Sequence, residues 1–261
     1  VLDDGFDPEV HDAYFEQLAR FVSDGLTECG YPYCSGAVMG TNPRWRQPLA
    51  VWRQAFEAWM AAPDPEALLH NAIFFELEGI HGELALGEAL QDLIRRSAPD
   101  NRKFLAHMAR NALLRNPPLS FFRQFVLEHD GEHRKTFDLK ERGIAPISDL
   151  VRVHALACGS AALNTRERLE DIQQTEPLPE GVADNLLDAL EFIAMVRIRH
   201  QARRIEAGAP ADNKVAPEQL SAFERRHLRN AFQVVADAQS FLRYRYTAAD
   251  NLQPAVTGKG R

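Results

Sequence analysis

Apolar residues recur at helical spacing over residues 8–28, where Tyr14, Leu18, Phe21, Val22 and Leu26 fall on one side, and this predicts an amphipathic helix. Gly30, Pro32 and Gly36 then interrupt the pattern. The short apolar run SGAVMG that follows reads as a buried strand. Helical spacing returns over 48–60 through Leu49, Trp52, Phe56 and Trp59. The stretch AIFFELEGI (72–80) alternates instead, with Phe75 and Leu77 on one side and Phe74, Glu76 and Glu78 on the other, which predicts a strand. Further helices are expected at 83–96 and 101–115.

Beyond Asn116-Pro117-Pro118 the chain reads as helical almost to 247, apart from an extended KTFDLK. Ser148 is the expected N-cap of a helix in DLVRVHALA. Ser221 and Glu224 form the S-x-x-E pattern of a capping box ahead of Leu228, Phe232, Val235 and Leu242. The segment 182–208 carries a core face of Leu186, Leu190, Ile193 and Ile198, and ends at Gly208 as a helix C-terminus should. The expectation is a mainly α protein: a small α/β piece up to about 115, then a helical domain, with a loose tail after Tyr246.

Composition narrows the function classes. The 261 residues are 45% apolar and 26% charged with a net charge of −7, so a globular core is affordable and a nucleic-acid partner is not expected. No apolar run approaches the ~20 residues that span a bilayer, and the N-terminus lacks a signal-peptide pattern, so a cytoplasmic protein without membrane contact is expected. The absence of an initiator methionine points to a fragment of a longer polypeptide. Cys29, Cys34 and Cys158 are an odd count without repeated pairs and read as reduced thiols.

Several segments carry candidate chemistry. HDGEH (129–133) fits the zinc pattern H-x-x-E-H, but two histidines on one helical face need an unbroken helix. Gly131 there costs about 1 kcal/mol against alanine, and Asp130-Gly131 is a turn dipeptide, so a polar turn is expected and zinc is not. In Phe137-Asp138-Leu139-Lys140, alternation places the apolar pair inward and Asp138 with Lys140 on the other face. That arrangement fits a phosphate or polar ligand, and equally a solvent-exposed ion pair. Glu76 and Glu78, roughly 7 Å apart along a strand, could hold a divalent cation or simply face water. TNPRWR offers turn N–H groups flanked by Arg44 and Arg46, which suits a phosphate cradle or an ordinary helix start. Arg197, His200, Gln201 and Arg204 form a polar stripe that reads as a solvated face.

Taken in order, GYPYCSGAVMGTNPRWRQPLAVWRQAF, AIFFELEGIHGE, HRKTFDLKERGIAPISDLVRVHALACG, NTRERL and RIRHQARRIEAGAPADNKVAPEQLSAFERRHLR resemble a bacterial nucleotidyltransferase family related to PII-uridylyltransferases. Members stand downstream of cyclic-nucleotide-binding and CBS domains. The resemblance runs from about residue 1 to 245. It implies a partial nucleotidyltransferase α/β lobe over 1–100 and a helical substrate-binding domain over 101–247, with 248–261 as a flexible tail. It implies transfer of a nucleoside monophosphate from an NTP to a protein or small acceptor with Mg²⁺, in signal transduction, a PII-like protein being one acceptor. Asn42, Arg44 and Arg46 would then lie near the nucleotide, Glu76 would be a metal ligand, and Asp138, Lys140, Arg152 and Arg204 would line a cleft between the lobes. The family's Gly-Ser and Asp-x-Asp motifs would precede Val1, so no catalytic residue is expected in this chain and it should be inactive alone. Glu76 and Glu78 also depart from the family's aspartate and basic residue. The alternative is a non-catalytic regulatory or ligand-binding module with a degenerate transferase lobe.

Overall fold

The computed structural model describes residues 1–120, 124–128, 135–175 and 178–247, and the chain divides into two compact units, Val1–Ser97 and Ala98–Arg261. The fold is mainly α. Among the described residues no helix is long and apolar enough to cross a membrane.

The first unit contains α1 (Pro8–Glu28), α2 (Leu49–Ala61), α3 (Pro65–Phe74) and α4 (Ala85–Ser97), with a short 3₁₀ turn at Pro43–Trp45. Side-chain caps set the starts. Asp7 accepts the Glu9 N–H at 2.9 Å ahead of Pro8, and Asp64 accepts the Ala67 N–H at 2.8 Å ahead of Pro65. The core collects on α2 and α4, where Trp52, Phe56, Met60, Leu90 and Ile94 are buried. In contrast, α1 leaves Tyr14, Leu18, Phe21, Val22 and Leu26 exposed, so its apolar stripe is not part of that core.

Two expected strands are absent here. SGAVMG is a run of turns, and the 72–80 segment is split: α3 continues through Phe74, a turn follows at Phe75 and Glu76, and the rest is irregular. The physical reason is pairing. A strand must find neighbours for its N–H and C=O groups, whereas a helix satisfies them internally. Within residues 1–97 the extended pairing is limited to a bridge between Leu2 and Pro48. The Asp64-Pro65 start therefore propagates into the apolar run.

The second unit contains α5 (Arg102–Ala112), β1 (Phe137–Asp138), a π-helical turn (Lys140–Ile144), α6 (Ala145–Cys158), α7 (Thr165–Thr175), α8 (Val182–Glu206), β2 (Lys214–Val215) and α9 (Ala222–Thr247). β1 and β2 pair antiparallel, Phe137 opposite Val215 and Asp138 opposite Lys214. The expected capping box is present: Ser221 Oγ accepts the Glu224 N–H at 3.1 Å and Glu224 accepts the Ser221 N–H at 2.8 Å. α8 ends before Gly208, whose φ of 71° is the left-handed conformation expected there.

Local expectations needed correction in three places. α6 starts at Ala145 with Pro146 in its first turn, so Ser148 lies inside the helix rather than capping it. Ile198 is 62% exposed, because the buried seam of α8 runs Leu186, Ala189, Ile193, Val196, His200 at alternating spacings of three and four. Asp138 is not on a solvent face; it is buried along with Phe137 and Leu139. HDGEH and the tail 248–261 lie outside the described residues.

Candidate functional site

In the first unit, the segment 40–46 is fixed by its own polar groups. Asn42 accepts the Arg44 N–H at 3.0 Å and donates to the Ala37 carbonyl at 3.1 Å, which folds the turn. Arg46 is 6% exposed and its guanidinium grips Asp12 with two hydrogen bonds of 2.8 and 2.9 Å while a third reaches the Gly40 carbonyl at 2.7 Å. The hydrogen bonds from Arg46 hold the Asp12 carboxyl below its ordinary pKa. Arg44 points outward, pairs with Glu66 at 2.7 Å and lies 4.6 Å from the centre of the Trp45 ring.

Beside this turn is a cavity of about 310 Å³ lined by Met39, Gly40, Trp45, Trp52, Phe56 and Phe74, among others. The Trp45 and Trp52 rings stack at 6.0 Å, and Phe74 approaches Trp45 at 4.8 Å. The walls are aromatic, so the cavity suits a planar apolar group, and its size is at the small end for ligand pockets. Glu76 stands half-buried on the turn after α3. Among the described residues, no group of three or more His, Cys, Asp or Glu side chains could hold a metal ion.

In the second unit, Asp138 connects an ion pair with Lys214 to the backbone of the turn that follows β1. One carboxylate oxygen accepts the Lys140 and Glu141 N–H groups, each at 2.8 Å, which ties β1 to the π-helical turn. Its other oxygen lies 3.6 Å from Lys214 Nζ, which also pairs with Glu128. Burial alone would lower the Lys214 pKa, but the hydrogen bond and charge of Glu128, with Asp138 behind them, raise it overall. Lys214 N–H donates to Asp212, which also accepts from His200 Nε2 at 2.7 Å and pairs with Arg204 at 3.1 Å. Burial raises the Asp212 pKa, yet the His200 and Lys214 hydrogen bonds and the Arg204 charge bring it below its usual value. On the other side, the Glu141 side chain meets Arg115 at 3.3 Å, Arg115 meets Asp149 at 2.9 Å, and Asp149 meets Arg152 at 2.8 Å.

Gly143 makes this junction fit. A Cβ there would sit 2.9 Å from Ile193 on α8 and 3.4 Å from Phe232 on α9, so only glycine lets the π-helical turn lie this close.

Two family models match the chain. "Putative nucleotidyltransferase DUF294" covers residues 1–66, and "Putative nucleotidyltransferase substrate binding domain" covers residues 102–246, more than half of the chain. The chain belongs to this nucleotidyltransferase family. No curated protein and no solved structure matches it.

The family's two segments divide the expected site residues. Asn42, Arg44 and Arg46 fall in the first, and Asp138, Lys140, Arg152 and Arg204 in the substrate-binding domain, while Glu76 lies in neither. Within the substrate-binding domain, Asp138, Arg152 and Arg204 belong to three groups of ion pairs that are joined through the Lys214 and Glu141 backbone N–H groups, and Lys140 is exposed beside them. Sequence reasoning missed Glu128, Arg115, Asp149, Asp212 and Lys214. It also took His200 for part of a solvated face, whereas it is 8% exposed and held by Asp212. The signal that pointed to it is the seam spacing from Val196 to His200.

Proposed function

We propose that this chain contributes nucleotide and acceptor recognition to a cytoplasmic, signal-responsive nucleotidyltransferase that moves a nucleoside monophosphate from an NTP to a protein or small acceptor. A PII-like protein is the acceptor we favour, and cyclic-nucleotide-binding and CBS domains are the sensory parts we expect upstream in the parent polypeptide. The observation that carries the reading is Lys140, exposed on a turn that the buried Asp138 carboxylate and Gly143 hold rigid inside the substrate-binding domain. A rigidly presented ammonium is a compact phosphate ligand. The aromatic cavity beside Arg44 supports the same reading, being sized for a base rather than a whole nucleotide.

Glu76 offers a single carboxylate, which suits a Mg²⁺ that arrives on nucleotide phosphates and keeps several waters. Bound there, the ion would neutralise charge on the transferring phosphoryl group. Titration of an NTP with Mg²⁺ into the protein and into Lys140→Ala tests the site. We expect about tenfold weaker binding by the variant, a loss of about 1.4 kcal/mol; equal affinity removes Lys140.

A second reading, a ligand-binding module without transfer activity, is favoured by Glu78, an exposed acid where the family has a basic residue. Labelled-nucleotide incorporation by the parent polypeptide separates the two: transfer supports the first, and NTP binding without transfer supports the second.

A further inference from the structure

A groove of about 650 Å³ runs between α8 and α9, lined by none of the residues of the Asp138 network. The helices are antiparallel along it: Arg199 lies 3.9 Å from Glu224, while seven residues earlier on α8 the Phe192 ring meets His227, three residues later on α9, at 5.6 Å. Ala189 and Ala231 open the floor, and Phe192, Met195 and Val234 give it half-buried apolar walls.

The two rims carry opposite charge. Asp184, Asp188 and Glu191 stand at i, i+4 and i+7 on α8, all exposed. Across the groove, Arg226 and Arg229 stand at i and i+3 on α9, and Arg229 lines the adjoining hollow. Asp237 shares that hollow and keeps its charge while accepting from Gln233 at 2.8 Å, so the α9 rim is basic over Arg226 and Arg229 only, and Glu191 is paired with Arg166. Arg229 is half-buried, with its guanidinium 5.6 Å from the centre of the Phe125 ring, but among the described residues neither it nor Asp188 has an ion-pair partner, and these two are the charges to exchange.

We infer that this groove is a self-association surface for a second copy of the chain. A two-fold axis along the groove exchanges the rims while keeping their level. The acidic rim of one copy then lies over the basic rim of the other, and the apolar floors meet between them. That is the self-complementarity an isologous dimer requires. A single-signed rim would instead point to a partner of opposite charge.

Charge exchange in the full chain tests this, with mass measured by sedimentation equilibrium across a concentration series. The unmodified protein is expected to dimerise. Asp188→Arg and Arg229→Asp should each weaken dimerisation by about tenfold or more, since like charges then face each other, and the two substitutions in one chain should restore it. Val234→Glu, on the groove wall, should also dissociate the dimer, with circular dichroism confirming that each variant is folded. A monomer at every concentration, single variants that associate like the unmodified protein, or a combined variant that stays dissociated would each overturn the inference.

Discussion

Asp138 and Lys214 face each other across the two-residue β1–β2 pair, and the same Asp138 carboxylate that lies 3.6 Å from the ammonium also accepts two backbone N–H groups of the next turn. One side chain thus joins a sheet register to a helix start. Removing it as Asp138→Ala takes the acceptor from both half-buried N–H bonds and should cost about 1–3 kcal/mol. Asp138→Asn retains an acceptor oxygen and should lose less. Denaturant midpoints of the two variants check the order; equal losses would mean that the charge, not the capping, matters.

Gly143 is the position where the substrate-binding domain tolerates no side chain. Gly143→Ala should destabilise by about 1–3 kcal/mol through overpacking against Ile193. Pairing it with Ile193→Ala removes the Cγ2 that the new Cβ would meet at 2.9 Å, so the double variant should lose less than the sum of the two. Additive losses in thermal or chemical unfolding would show that the clash is relieved by backbone movement instead.

The seam of α8 gives a contrast between neighbouring isoleucines. Ile193 is fully buried and Ile198 is 62% exposed. Ile193→Ala should cost about 2–5 kcal/mol, and Ile198→Ala should fall within about 0.5 kcal/mol of the unmodified protein. Chemical denaturation of both variants measures the difference directly.

That contrast also shows how much was legible beforehand. The extents of α1, α2, α8 and α9 were readable, because helical spacing, the Ser221–Glu224 capping box and Gly208 are local signals. The nucleotidyltransferase family was readable from ordered motifs. The fate of 72–80 was not, because alternation records which faces differ in polarity and says nothing about whether a neighbouring strand exists. The Asp138 network was half legible: its first acid lies in FDLK, but Arg115, Asp149 and Lys214 are distant in sequence and meet through the fold. Ion pairs between remote residues leave no periodic trace.

His154 supplies a pH test. Burial, helped by Arg245, pushes its pKa down to about 4; its Nδ1 lies 3.2 Å from the Tyr246 hydroxyl and its ring stacks on Phe241. The unfolded chain protonates this histidine near the ordinary value of about 6.5, while the folded chain resists until about pH 4. Its contribution is therefore complete above about 6.5 and is lost as pH falls toward 4, at up to about 1.4 kcal/mol per pH unit. His154→Gln should flatten that part of the stability profile. His70, whose pKa burial also lowers, contributes with the same sign, so the difference between the two profiles is the quantity to measure.

Arg44 and Arg46 are separated by one residue and do different work. The Arg44–Glu66 pair is exposed on both sides, 58% and 65%, and such pairs contribute about 0–1 kcal/mol. The Arg46 side chain is 4% exposed and binds α1 to the 40–46 turn through Asp12 and Gly40. Arg46→Ala leaves the Gly40 carbonyl without its guanidinium partner and should cost about 1–3 kcal/mol, whereas Arg44→Ala should leave stability almost unchanged. Nucleotide affinity then separates recognition from folding. If Arg44 contacts phosphate, its variant loses affinity at full stability, and a phosphate-mimicking anion at high concentration should compete for the unmodified protein but not for the variant. If affinity falls only in Arg46→Ala, and in proportion to lost helical signal, the turn organises the unit without touching the nucleotide.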